Sequence, residues 1–201
     1  MRRIATLVVS AALAGCVGLR PTQPHRYFVL DAGASTEPYV AAPSSARDDV
    51  LLIGPATVAT FFDTQAMAFS RSAGELGYYQ YSSWAEPPGR RIAPLLATSL
   101  GRRAEFRAVA LAGSGVRGRF LLSAHLEEIV HDASVSPGVA RVSVVAELVD
   151  LRQHALIARS AFTAAAPLEA ARADAAAHAC GRALGDVLEQ VAAWAGGVAR
   201  P

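Results

Sequence analysis

Lysine is absent from this chain of 201 residues: all 19 basic side chains belong to arginine, against 17 acidic side chains. We attribute this bias to the base composition of the genome and not, in the first place, to the function of the protein. The two signs are interspersed, so no face is expected to carry the clustered positive charge that nucleic-acid binding needs. Two cysteines are too few for the disulfide framework of a small secreted protein. We therefore expect no nucleic-acid partner, and one compact domain with a hydrophobic core.

Sequence patterns of common enzyme classes are also missing, since no G-x-S-x-G, H-E-x-x-H or C-x-x-C motif occurs. Residues 113–118 match the G-x-G-x-x-G dinucleotide pattern, but a predicted strand follows where that pattern needs a helix, which favours a glycine-rich hairpin loop. His125 and Glu127 share a face of a predicted strand that ends near His131. The further groups that a zinc site needs are not evident, so we interpret this as a polar face towards solvent. We expect no enzymatic activity, cofactor or metal.

The N-terminus is organised as an export signal. Arg2 and Arg3 precede an apolar run at residues 4–14, which is far shorter than the roughly 20 residues that span a bilayer as a helix. The following Gly-Cys completes a Leu-Ala-Gly-Cys pattern that resembles the lipobox of bacterial lipoproteins, in which the chain is cut before the cysteine and the thiol is diacylated. The resemblance predicts a signal peptide at residues 1–15, lipidation of Cys16 and a tether at residues 16–25.

Processing before Cys16 would change the charge and the thiols of the chain. Loss of Arg2 and Arg3 leaves 17 basic against 17 acidic side chains, close to neutrality. Acyl chains can hold such a protein at a membrane without a spanning helix. Because Val17 stands where aspartate commonly retains lipoproteins at the inner membrane of enteric bacteria, we expect attachment to the periplasmic face of the outer membrane. Cys180 would be the only free thiol, and its place on an apolar helix stripe predicts burial.

Hydrophobic periodicity beyond the tether predicts eight strands and two helices. Apolar residues from Ile92 to Leu100 keep helical spacing, although Pro94 requires that this helix begins near Ile92 or is kinked. The second helix is predicted at about residues 168–195, closed by the glycine pair at 196–197. The predicted strands are residues 26–31, 49–58, 66–71, 75–81, 107–111, 118–131, 139–151 and 154–164.

The order of these elements predicts the fold class. Short connections join the last four strands, and consecutive strands joined in this way pair antiparallel. The N-terminal strands should extend the same sheet. We therefore predict an α+β fold, with a largely antiparallel sheet and two main helices packed on one face.

Half of the aromatic residues lie between residues 61 and 84. Such clustering suits a binding interface, where Tyr and Trp are enriched, and it suits ordinary core packing equally well. Neighbouring residues of a strand point to opposite sides, so at least one of Tyr78 and Tyr79 should lie outside the core.

Short segments along the chain carry a family pattern. Arg-Tyr-Phe-Val-Leu-Asp follows the tether at residues 26–31, and Trp-Ala-Glu-Pro leads into the first helix at residues 84–87. Between them come Ile-Gly-Pro at 53–55, Phe-Phe-Asp-Thr-Gln at 61–65 and Phe-Ser-Arg at 69–71. These segments, the meander and the last helix resemble the ABC-type transport auxiliary lipoproteins, the family that includes paraquat-inducible protein C. The sequence departs from the family by having Pro88 where leucine is usual.

The resemblance implies that residues 26–201 form an ABC-type transport auxiliary lipoprotein domain without enzymatic activity. Its partners would be an ABC transporter, comprising ATPase and permease, and a mammalian-cell-entry (MCE) domain protein. Such systems move phospholipid or other hydrophobic molecules between the two membranes. On this interpretation the domain docks to the MCE protein, and the predicted contact residues are Tyr78, Tyr81, Trp84 and Glu86.

Two other functions fit the same sequence. A lipid-binding carrier should contain an apolar cavity of a few hundred Å³ between sheet and helices. An envelope-assembly lipoprotein would share the anchor but not the transporter.

Overall fold

The computed structural model describes residues 23–33 and 47–199. The predicted signal peptide, Cys16 and most of the tether lie outside these residues. The strands are β1 (Arg26–Phe28), β2 (Arg47–Ile53), β3 (Thr57–Val58), β4 (Ala66–Ser70), β5 (Gly77–Trp84), β6 (Phe106–Leu111), β7 (Phe120–Asp132), β8 (Val139–Asp150) and β9 (Ala155–Pro167). The helices are α1 (Gly89–Arg103) and α2 (Ala173–Val198), and a short 3₁₀ helix covers Thr60–Phe62.

Strand β7 organises the sheet. Along one side it pairs antiparallel with β8, which in turn pairs antiparallel with β9. Along the other side, successive stretches of β7 pair in parallel with β2, β3 and β4. Strand β6 adds to the far side of β2, while β5 and then β1 continue the sheet from β4. All the described strands therefore belong to one mixed sheet.

The predicted α+β class is confirmed, but the antiparallel meander has three strands and not four. Strand β6 does not pair with β7; the two lie on opposite sides of β2, and all three are parallel. The glycine-rich segment at residues 113–118 is thus not a hairpin loop but a connection that passes close to β2. Directly after it, the backbone N–H of Arg119 donates to the Val50 carbonyl oxygen at 3.0 Å.

An irregularity in β7 changes which residues face the helices. Before it, even-numbered residues such as Leu126 point to the helices; after the register shift at Glu127, odd-numbered residues such as His131 do so. His125 faces the other side, where its Nδ1 lies 2.7 Å from Thr57 Oγ1. The prediction of one polar, solvent-facing surface is therefore wrong at His131, which is buried.

Both helices pack on one face of the sheet. Helix α2 lies across β8 and β9, and α1 packs against α2 and β6. Helix α1 begins at Gly89 and accommodates Pro94 inside it. Apolar residues of the two helices and of the sheet form one continuous core, and Cys180 is buried in it as predicted. Burial raises the pKa of the Cys180 thiol to about 12.

The C-terminal end of α2 differs from the prediction. The helix continues to Val198, so termination at the glycine pair is wrong. Gly196 lies against the side chain of Glu105, whereas no atom lies within 4 Å of the position that a Cβ atom of Gly197 would occupy. The first of these glycines therefore permits close packing and does not cap the helix.

A short segment after β1, residues 30–33, crosses α2 and is called the strap. Its backbone lies directly against two glycines one helical turn apart. Gly181 faces the carbonyl oxygen of Asp31, and a Cβ atom there would overlap that oxygen. A Cβ atom on Gly185 would lie 2.5 Å from the carbonyl oxygen of Ala32. The absence of side chains at both positions allows the strap to pack on the helix.

Candidate functional site

Two of the predicted contact residues lie on the surface of β5. Tyr78 is 42% exposed and Tyr81 is 41% exposed. The register between β4 and β5 shifts within the stretch that carries both tyrosines, as at a β-bulge. Tyr79 instead packs against the core, which confirms that one of the two consecutive tyrosines lies outside it.

Tyr78 is held by the 3₁₀ helix. Its ring stacks on that of Phe61, with centroids 4.5 Å apart and ring planes at 12°. Its hydroxyl donates a hydrogen bond to the Phe61 carbonyl oxygen at 2.8 Å. Stacking and a hydrogen bond together fix the orientation of an aromatic ring, so Tyr78 presents a half-exposed ring in a defined position.

Trp84, another of the predicted contact residues, is not on the surface of the structure. It ends β5 opposite Phe28 of β1, and it is only 2% exposed. Its side of the strand faces the helices, so the indole packs into the core. From sequence alone, a tryptophan at the end of a strand is compatible with the core and with an interface. Its 2% exposure assigns Trp84 to the core.

The chain around Trp84 joins three of the segments that carry the family pattern. The backbone N–H of Trp84 donates to the Gln65 carbonyl oxygen at 2.6 Å. The side-chain amide of Gln65 donates to the Ala85 carbonyl oxygen at 2.7 Å. The backbone N–H of Ala85 donates to the Phe28 carbonyl oxygen, also at 2.7 Å. These hydrogen bonds position β1, β5 and the start of α1 relative to one another.

Glu86 lies in the turn between β5 and α1. Its Oε1 is 3.8 Å from Arg91 Nε, a long and partly solvated ion pair. Such pairs contribute little to stability, so Glu86 is available for a contact. The structure thus places Tyr78 and Tyr81 on one strand and Glu86 in the turn that follows.

Sequence reasoning missed Tyr27, which is 65% exposed. Tyr27 pairs with Ser83, two residues after Tyr81, so the aromatic side chains of β1 and β5 are neighbours. His25 packs on Tyr27, with ring centroids 4.9 Å apart, and its Nε2 lies 2.9 Å from Ser83 Oγ. Alternation in the first strand, with Phe28 inward and Tyr27 outward, could have indicated it. We call His25, Tyr27, Tyr78 and Tyr81 the aromatic surface.

A buried polar network lies behind this surface. Tyr79 Oη is 2.6 Å from His131 Nδ1, and His131 Nε2 donates to the Pro137 carbonyl oxygen at 3.1 Å. Because a carbonyl oxygen only accepts, Nε2 carries the proton, and the neutral imidazole accepts the Tyr79 hydroxyl proton at Nδ1. Burial raises the pKa of Tyr79 to about 12. Burial also lowers the pKa of His131, outweighing the opposite effects of Pro137 and Asp132.

The network predicts a pH dependence of stability. Folding lowers the pKa of His131, so the folded state favours its neutral imidazole. The contribution of this group to the free energy of unfolding is therefore complete above the ordinary histidine pKa of about 6.5. It decreases as the pH falls below that value, by at most about 1.4 kcal/mol per pH unit. Urea unfolding between pH 5 and 8 should show this slope, and His131→Gln should remove it. The control is His178→Gln on the exposed side of α2; equal slopes in His131→Gln and wild type would contradict the prediction.

An apolar groove lies between the start of α1 and the loop that joins β2 to β3. Its volume is about 750 Å³. Pro55, Ala56, Val58, Ala93 and Leu111 supply apolar lining, and the charged residues Arg90 and Asp63 line it as well. This groove has the size and composition of a small-molecule site.

The described residues contain no group of three or more metal-ligating side chains. Within residues 23–33 and 47–199, no helix is both long and apolar enough to cross a bilayer.

Residues 28–192 match the family of the ABC-type transport auxiliary lipoprotein component, and the chain belongs to this family. The family is not a class of enzymes. Its name implies association with an ABC transporter system, and a lipoprotein family implies anchorage at a membrane of the cell envelope.

Solved structures share the fold. A Xanthomonas campestris protein of the family DUF330 superposes with a TM-score of 0.69 at 19% identity, covering 86% of this chain and 94% of its own. An uncharacterized protein superposes with a TM-score of 0.66 at 12% identity, and the match covers 86% of this chain and 99% of that protein. A hypothetical protein from Chlamydia trachomatis superposes with a TM-score of 0.53 at 13% identity, and the match covers 76% of this chain and 98% of that protein. No match was found among curated proteins. These identities establish the fold alone.

Proposed function

We propose that this protein is a periplasmic accessory lipoprotein, anchored to the outer membrane, in an ABC/MCE-type system that moves lipids or other hydrophobic molecules between the membranes. Cys16 carries the anchor, and the folded domain docks to the MCE protein. The observation that carries the docking step is the aromatic surface. Its residues lie at one side of the sheet, outside the core, on a member of a transport auxiliary family.

The aromatic surface has the composition of a protein-binding site. Tyrosine is enriched among the residues that dominate binding energies, because it buries a large area with few rotatable bonds and retains a polar tip. Tyr27 and Tyr81 expose much of their area, and Tyr78 is already fixed by Phe61, so little conformational entropy is lost when these rings are covered. Glu86 adds a charged group in the turn that follows β5.

The anchor would increase the effective concentration of the domain at its partner. Confinement of both to one membrane region makes the encounter nearly intramolecular, which strengthens association without any new contact. A Cys16→Ala variant should therefore lose the MCE protein from outer-membrane fractions, whereas the wild type should retain it. Equal recovery with both would contradict the anchoring role.

The docking step is tested separately on the lipidated chain. Tyr27→Ala combined with Tyr81→Ala should reduce recovery of the MCE protein at least tenfold in an affinity pull-down, since two hot-spot side chains together contribute more than about 1.4 kcal/mol. Leu156→Ala is the matched control, because Leu156 is an apolar residue, 57% exposed, near the turn between β8 and β9. Unchanged recovery with the tyrosine variant would contradict docking at this surface.

The groove beside α1 favours a second candidate function, a carrier that itself binds lipid. Its apolar lining would hold an acyl chain, and Arg90, which lines the groove together with Asp63, is the cation available to an anionic headgroup. Native mass spectrometry of delipidated protein mixed with phosphatidylglycerol should then detect a one-to-one complex that Ala93→Glu abolishes. Absence of a complex in the wild type would exclude this function.

A further inference from the structure

The tether enters the domain at a defined end of the sheet. Strand β1 is parallel to β5, and β5 begins directly after the β4–β5 hairpin at residues 71–76. Arg26 pairs with Ser82, five residues after the start of β5, so the chain that precedes β1 runs from there towards this hairpin, with residue 23 three positions before Arg26. Arg26 Nη2 also lies 3.7 Å from Asp174 Oδ2 in the first turn of α2.

The hairpin between β7 and β8, residues 133–138, lies at the same end. Ser70, the last residue of β4, pairs with Asp132, the last residue of β7. The N–H of Ala133 donates to the Ser70 carbonyl oxygen at 2.7 Å, which holds the two hairpins together. We call residues 71–76 and 133–138 the tether end.

The tether end exposes apolar side chains. Val135 is 69% exposed, the largest value among the large hydrophobic residues of the described chain, and Leu76 of the other hairpin is also exposed. Two charged residues of the β4–β5 hairpin, Arg71 and Glu75, are exposed as well, and Glu75 accepts a hydrogen bond from Ser72 Oγ at 2.7 Å. Exposed apolar side chains can enter the headgroup region of a bilayer when an acyl anchor holds them beside it.

Chain lengths limit which end of the domain can reach the membrane. Seven residue steps separate Cys16 from residue 23, and they can span at most roughly 25 Å. Strand β8 has 12 residues, so the tether end and the opposite turn at residues 151–154 are roughly 40 Å apart. An anchor at Cys16 can therefore hold the tether end against a membrane while the opposite turn remains beyond its reach.

We propose that the tether end is a membrane-docking surface, with Val135 and Leu76 entering the headgroup region of the leaflet that holds the lipid anchor. This inference rests on the proposed lipidation of Cys16. It also orients the domain: the turn between β8 and β9 points away from the membrane, and the aromatic surface stands at the side of the sheet, accessible to a protein partner.

The test uses the lipidated full chain in vesicles of phosphatidylethanolamine and phosphatidylglycerol. Val135→Cys and Leu156→Cys receive the same environment-sensitive fluorophore, one at each end of the sheet. Both positions are exposed, so both variants should fold, and circular dichroism checks this. Cys180 is buried and poorly ionised, and the Cys16 thiol is consumed by the anchor, so labelling is selective.

Nitroxide-labelled headgroups should quench the probe at position 135 several-fold more strongly than the probe at 156, and only the former should shift its emission to the blue. Equal quenching, or stronger quenching at position 156, in vesicles that carry the protein would overturn the docking surface and leave the anchor intact. Failure of the protein to float with the vesicles would overturn the anchor and the inference together.

Discussion

Replacing Trp84 by alanine is expected to lower the free energy of unfolding by about 3–5 kcal/mol, the cost of removing a fully buried aromatic side chain. The indole is 2% exposed and belongs to the core shared by the sheet and both helices. Its removal leaves a cavity beside the junction of Gln65, Ala85 and Phe28, whose hydrogen bonds position the start of α1. Urea unfolding followed by far-ultraviolet circular dichroism measures the loss.

The control for Trp84→Ala is Tyr81→Ala. Tyr81 is three residues earlier on the same strand but exposed, so its truncation should change stability by no more than about 0.5 kcal/mol. The two variants separate stability from docking: Trp84→Ala should unfold early, whereas Tyr81→Ala should remain folded. A Trp84→Ala variant as stable as the wild type would contradict the assignment of Trp84 to the core.

The second large effect is expected at Gly181. A Cβ atom there overlaps the carbonyl oxygen of Asp31, and backbone atoms cannot rotate away as a side chain could. Gly181→Ala should therefore displace the strap and lower the free energy of unfolding by about 2 kcal/mol, since overpacking costs about 1–3 kcal/mol and outweighs the gain in helix propensity. Gly181→Val should cost more, because the branched side chain overlaps further.

Gly197→Ala is the matched control for the strap. It adds the same methyl group to the same helix, but no atom lies within 4 Å of the new position. Helix propensity alone predicts a change of at most about 1 kcal/mol in the stabilising direction. If Gly181→Ala and Gly197→Ala had equal stability in thermal unfolding, the contact between strap and helix would not be as described.

Local patterns in the sequence were sufficient for much of the fold. Alternation predicts β8 and β9 within a few residues, and the apolar stripe of α2 correctly buries Cys180. The pairing of β6 with β2 could not be predicted in this way. It depends on contacts between segments more than fifty residues apart, whereas short connections favour neighbours in sequence. The single extra residue at Glu127 likewise has no sequence signal, yet it moves His131 from one face of the sheet to the other.

The exposure of the candidate site residues could be predicted only in part, because it depends on strand register and on pairing between distant segments. Strict alternation would place Tyr78 and Trp84 on one face of the strand and Tyr81 on the other. The register shift between β4 and β5 changes this, so that Tyr78 and Tyr81 are exposed and Trp84 is buried. Tyr27 comes next to them through the pairing of β1 with β5, which joins residues far apart in the chain. Exposure, and not residue type, separates the aromatic surface from the core.

The strap also determines how the domain bears mechanical load. A pull on the chain ahead of β1 acts along the strand axis, so it loads the hydrogen bonds between β1 and β5 in shear, all at once, and does not peel them apart one by one. Beyond β1, Leu30 is embedded in the core, and the next residues are clasped against Gly181 and Gly185. Tension on the anchor would thus be resisted by the burial of Leu30 and by the strap–helix contacts, in addition to the hydrogen bonds between β1 and β5.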